Sequence, residues 1–336
     1  MLFRSHKAWF QNYAARGRPY DFGVYSVTWP ANGFLFDQAE RQGISYFNYG
    51  EAVAGVVPLT DKDRTDADTQ EVLKKFGKSD LGPNGCYPND SSIGTDSITG
   101  QQVFDTMPPP GAPPGSESRA ACFAQRFAQQ VATDSVPAFN YLVLTNDHTQ
   151  TLTAKARTPR AMVADNDEGL GRVVDTISHS PIWKESAIFV IEDDSQDGAD
   201  HVDAHRIPAF VISPFAKQGA IVHTRYDMLS VIRSMELIVG MKPLGLFDDL
   251  ATPMYDAFQA QPANDAPYDA IGAKVPLLET NPSGTPGARA AARLPKCLDC
   301  ISQREMDALL WRSVHGDDSQ PPPPGPSAVD EPHGDG

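Results

Sequence analysis

"AIFVIEDDSQDGADHVDAHRIPAFVISPFA", residues Ala187 to Ala216, decides the fold reading. Its two apolar runs, "AIFVI" and "AFVI", lack the alternation of a half-solvated strand, so each reads as a strand buried on both faces. Between them, "FVIEDDSQDGADHVDAHR" places six acids and two histidines in eighteen residues. Neighbouring carboxylates repel one another unless water, a cation or positive side chains offset the charge. Asp and Gly after a strand are ordinary turn formers, which is the bland reading. His201 and His205 inside the cluster point elsewhere, because imidazole commonly joins carboxylates at transition-metal and zinc sites.

Helical patterns flank these strands. Upstream, "TPRAMVADNDEGLGRVVDTIS" offers Thr158 as N-cap, Pro159 in the first turn, and a stripe of Met162, Leu170, Val173, Val174 and Ile177. Gly169 and Gly171 weaken this helix without abolishing it. Downstream, "YDMLSVIRSMELIVG" reads as another helix. Earlier still, "FNYLVLTNDHT" carries a short strand over Tyr141–Leu144 that ends at Asn146, Asp147 and His148. "FLFDQAERQGISYFNYGE" reads as a helix ended near Gly43 and a strand from Ser45 to Tyr49. Strands alternating with helices, apolar on both faces, predict an α/β fold: a mostly parallel sheet with helices on both faces. The domain spans residues 1–316, with loop-rich, Pro- and Gly-dense connections over 60–135 and one more amphipathic helix in "CISQREMDALLWRSVHG". Residues 317–336 read as a disordered proline-rich tail.

Composition excludes several classes. A formal charge of −15 argues against nucleic-acid binding through a general basic surface. No apolar run approaches the roughly twenty residues of a membrane span. The start, "MLFRSHKAWFQNYAARGRPYDFG", has no continuous apolar core and does not read as a signal peptide. Cys86 and Cys122 bracket a loop-rich segment and are candidates for a disulfide, which implies an oxidising compartment. Cys297 and Cys300 form "CLDC"; no second pair completes a zinc site, which leaves a local disulfide or free thiols.

In open α/β sheets the ligand site lies beyond the carboxyl ends of the strands. That geometry gathers Asp147, His148, Glu192, Asp193, Asp194, His201 and His205 at one edge. Converging carboxylates and imidazoles suit a divalent metal that polarises a phosphoryl oxygen and balances the acids. A hydroxyl side chain or a metal-bound water would attack phosphorus in line.

The order "TNDHT", a helix, then "SPIWKESAIFVIEDDSQDGADHVDAHRIPAFVISPFAKQGAIVHTRYDMLSVIRSMELIVGMKPL" resembles the bacterial phosphoesterase family of phospholipases C and related acid phosphatases, within the alkaline phosphatase superfamily. The resemblance is most specific over residues 139 to 258 and extends from Tyr20 to about Gly316. It implies an alkaline-phosphatase-like fold, a divalent metal ion, and a phosphate-ester substrate such as a phospholipid headgroup or small phosphomonoester. By resemblance, Asp193 and Asp194, with Glu192 beside them, are metal ligands. His201 looks like a late metal- or phosphate-contacting histidine, and His148 like an active-site histidine near the phosphoryl or leaving group. Asp147, Asp200 and His205 are supporting residues that orient ligands.

Family members carry an early "EN" metal-binding pair and a later Ser or Thr nucleophile, both upstream of the segment similar to "FLFDQAERQGISYFNYGE". Neither is recognisable here, so the chain resembles the C-terminal two-thirds of a family domain. The expectation is therefore an N-terminally incomplete domain whose full-length form is periplasmic or secreted. Thr145, Thr149 and Ser195 lie near the expected site but not at the family's nucleophile position. The competing reading is a non-catalytic divalent-metal-binding or degenerate member. A sulfatase would need an early Cys or Ser motif that is absent from this sequence.

Overall fold

The structure, a computed structural model, describes residues 32–49, 104–108, 117–147, 149, 152–192, 206–293 and 303–321. Helix α1, Leu35–Arg41, begins where the Asp37 carboxylate accepts the Phe34 backbone N–H at 2.9 Å. The chain leaves α1 through Gly43, whose φ of +69° is a left-handed value that glycine adopts without strain. Strand β1, Tyr46–Tyr49, pairs in parallel with β2, Phe139–Leu142, in the register Tyr46 to Phe139 and Tyr49 to Leu142.

Side chains alternate across this small sheet, and each face has its own core. On one face Tyr46 and Phe139 pack with Phe36 and Ala39 of α1 and with Met241. On the other, Tyr49 packs with Ala120, Phe123 and Phe127 of α2, Arg119–Ala132, and with Val173 of α3, Pro159–Ser178. Helices thus cover both faces of the β1–β2 pair, as the sequence predicts. Helix α3 starts as expected: the Thr158 hydroxyl accepts the Ala161 N–H at 3.2 Å and Pro159 occupies the first turn.

A second pair, β3 (Ile188–Ile191) and β4 (Ala209–Ile212), is antiparallel, with Ile188 opposite Ile212. Phe189 and Val211 pack on Val231, Met254 and Ala257. Helix α4, Met228–Val239, is capped by the Asp227 carboxylate accepting from Ser230 N at 3.0 Å and ends at Gly240, φ +73°. Three further helices follow: α5 (Leu246–Leu250), α6 (Pro286–Ala291) and α7 (Gln303–His315).

Three expectations need correction. Among the described residues there are two two-stranded sheets, one parallel and one antiparallel, rather than one mostly parallel sheet. A parallel return needs a crossover, usually a helix, and the Asp- and Gly-rich sequence between β3 and β4 has no helical pattern. Among the described residues, β3 and β4 are not fully covered either, since Ile191 and Phe210 are exposed. Strand β2 begins two residues earlier than Tyr141, because the pairing with β1 starts at Phe139. The segment read as irregular over 60–135 contains the fourteen-residue helix α2, whose N-cap Ser118 accepts from Ala121 N at 3.2 Å. The start of the chain, most of 60–135, the end of the tail, and Cys86, Cys297 and Cys300 lie outside the described residues. Cys122 is fully buried and disulfide-bonded.

Candidate active site at the end of strand β2

Beyond Leu142 the chain runs through Val143 and Leu144 to Thr145 and Asn146, both buried, and then to the half-buried Asp147. Two fully buried carboxylates fix this end. Asp105 accepts the backbone N–H groups of Thr145 at 3.2 Å and Asn146 at 3.0 Å, and the Asn166 side-chain amide at 3.2 Å. Asp165, in the second turn of α3, accepts from Asp105 N at 2.8 Å, from Thr106 N at 3.3 Å, and from the Thr106 hydroxyl and the Asn146 side-chain amide.

Two buried arginines balance these charges. Arg157 lies 3.5 Å from Asp165 and stacks over the Phe104 ring at 3.7 Å from its centroid. Arg119 donates to Val143 O at 3.1 Å and faces Asp105 electrostatically. Burial pushes the Asp105 carboxyl up to about 6, and the neighbouring Asp165 charge adds to this; the Arg119 charge and the two backbone N–H groups pull the other way. Such an ion network is costly to desolvate, and the hydrogen bonds that its two carboxylates accept offset part of that cost. Gly169 of α3 admits Asp105 to this place: a Cβ there would sit 2.8 Å from the Asp105 Cβ.

Of the seven residues gathered at the expected site, the described structure holds two. Asp147 lies at the end of β2, and Glu192, half-buried, directly follows β3. His148, Asp193, Asp194, Asp200, Ser195, His201 and His205 lie outside the described residues. The donor chemistry of Glu192 and its sequence neighbours, all hard carboxylate oxygens, fits a divalent cation. Among the described residues, one grouping has ligand atoms close enough to share an ion: Asp175, His179 and Asp269, within 4.8 Å of one another. It includes neither Asp147 nor Glu192. Asp175 lies ten residues along α3 from Asp165, which places it about 15 Å away toward the opposite end of the helix.

An apolar groove of about 650 Å³ lies between α1, β2, α4 and α5, lined by Phe36, Tyr141, Leu229, Ile232 and Phe247. Neither Asp147 nor Glu192 lines it, so it is separate from the acidic strand ends. Sequence reasoning missed Asp105, Asp165, Arg119 and Arg157. Asp105 is a single acid ahead of a proline run, Arg119 falls in the segment read as irregular, Arg157 precedes the N-cap Thr158, and Asp165 sits within ordinary helical patterning. The one available signal was Gly169, an interior helix glycine whose cost in propensity asks for a packing reason.

No helix among the described residues is long and apolar enough to cross a membrane. No curated protein sequence matches the chain. A family model does match, over residues 106–242, which begin one residue after Asp105, run from α2 to α4 and contain all seven residues expected at the site. The matching model is that of the Phosphoesterase family, so residues 106–242 are similar to that family, in agreement with the resemblance seen in the sequence.

Proposed function

We propose that this protein is a metal-dependent hydrolase of phosphoric esters of the phospholipase C or acid phosphatase type, acting at the ends of β2 and β3. The family match carries the reading, because it spans both strand ends and the acidic stretch between β3 and β4. Glu192, Asp193 and Asp194 hold a divalent ion, which supplies Lewis-acid polarisation of a phosphoryl oxygen. His148 and His201 contact the phosphoryl or leaving-group oxygens. Asp147 and His205 orient them through hydrogen bonds. The Asp105 and Asp165 network supports this reading by holding the β2 end rigid from below. A disulfide at Cys122 favours an exported protein, since such bonds persist in oxidising compartments.

The test is hydrolysis of para-nitrophenyl phosphate and para-nitrophenyl phosphorylcholine across divalent metals, beside Asp193→Asn. Metal-dependent turnover that disappears in the variant supports the proposal and places a nucleophile within this chain. A folded chain that binds metal and hydrolyses neither ester contradicts it in favour of a non-catalytic metal-binding module.

A further inference from the structure

We propose that Asp105 is a positioning residue for catalysis, acting through the backbone of Thr145 and Asn146 on the side chains that follow them; the proposal rests on the phosphoesterase reading above. A strand end carrying reactive groups leaves backbone N–H donors past the last ladder bond, and these must find acceptors or stay mobile. Thr145 N and Asn146 N lie beyond Leu142, the last residue paired with β1, and both are taken by one carboxylate, at 3.2 and 3.0 Å. Bidentate acceptance by a planar group fixes the orientation of two successive peptide planes, and so the direction in which the chain enters Asp147.

The acceptor itself cannot drift. Its backbone N–H donates to Asp165 at 2.8 Å, and its backbone C=O accepts from Ala120 N at 3.0 Å. Its carboxylate takes a third hydrogen bond from Asn166 at 3.2 Å, and Gly169 leaves the space it occupies. Helices α2 and α3 thus clamp one side chain that in turn clamps the strand end. The hydrogen bonds of Asp105 run to the β2 end, α2 and α3, and it lies outside every acidic motif that marks the expected metal site.

Asp105→Asn is close in shape, but its amide nitrogen would face a backbone N–H, so one of the two backbone bonds is lost. Asn166→Ala is the milder variant and removes only the third bond. With para-nitrophenyl phosphate as substrate, Asp105→Asn should lower kcat by about ten- to a hundredfold with KM within about twofold, the signature of misplaced reactive groups rather than lost binding. Amide hydrogen exchange at Thr145 and Asn146 should quicken by at least about tenfold, with amides in α4 unchanged. Asn166→Ala should move the same readouts in the same direction by less.

Wild-type turnover matched by both variants, or Thr145 and Asn146 amides still protected in them, overturns this proposal alone. A fall in kcat accounted for by a smaller folded fraction does so too. A wild-type chain that hydrolyses no ester overturns the functional reading and this proposal with it.

Discussion

Replacing Asp165 by Ala tests whether the buried network, rather than hydrophobic packing alone, holds the end of β2 to α3. The carboxylate is fully buried and accepts from Asp105 N, Thr106 N, the Thr106 hydroxyl and the Asn146 amide, while Arg157 lies 3.5 Å away. Each donor left buried without an acceptor costs about 1–3 kcal/mol, and one member of a broken buried ion pair costs about 3–5 kcal/mol. These terms do not add, because water can enter the space and rebond some donors. A net loss of about 5 kcal/mol is therefore expected, a large part of the roughly 5–15 kcal/mol that stabilises an ordinary domain. Asp165→Asn keeps the volume and one acceptor oxygen, so its loss should be about half as large. Equilibrium unfolding in guanidinium chloride, followed by circular dichroism, gives the difference from the midpoint shift at unchanged slope. A loss below about 1 kcal/mol for Asp165→Ala would refute the reasoning, since it would mean the network is not desolvated.

Other consequences are separable. The Asp105 carboxyl is raised from 3.8 to about 6, so the folded state keeps its proton longer than the unfolded chain. The associated stability is full below 3.8 and is lost as pH rises through about 6, on the order of 3 kcal/mol in all. Asp105→Asn should flatten that part of the pH–stability curve, which urea midpoints at pH 4 to 7 would measure. The buried Glu236 is pushed up from 4.5 to about 7, by burial first and by Asp248 second, although Arg233 at 3.3 Å opposes this. Stability should fall as pH rises from 4.5 through about 7, and Glu236→Gln should raise the melting temperature at pH 8 while changing it little at pH 4. Phe36→Ala, which empties the core between α1 and the β1–β2 pair, should cost about 3–5 kcal/mol by chemical denaturation.

The elements most legible in the sequence were those whose local signals agree. Thr158 and Pro159 mark the start of α3, because caps are local chemistry, and "YDMLSVIRSMELIVG" marked α4, to which the structure adds the caps Asp227 and Gly240. Tyr46 to Tyr49 showed its strand through aromatic composition. Pairing direction did not show, because "AIFVI" and "AFVI" are equally apolar in a parallel or an antiparallel pair, and only the connection between them decides. Crowded acids beside Glu192 drew the sequence reading to one strand end, while the buried network beyond β2 was illegible because there one acid meets distant partners. Asp105 meets Asn146 across forty-one positions and Asp165 across sixty, contacts that no local pattern announces. Gly169 was read as a weakness of α3, and the structure gives it a purpose as the space beside Asp105.

The most direct measurement of the central claim is calorimetric titration of inorganic phosphate into the chain with and without manganese, for wild type and Asp193→Asn. It reads the metal-bound phosphoester site without requiring turnover. Phosphate should bind only when the metal is present, and that binding should be lost in the variant. Phosphate binding that ignores the metal, or that survives unchanged in Asp193→Asn, would contradict the claim.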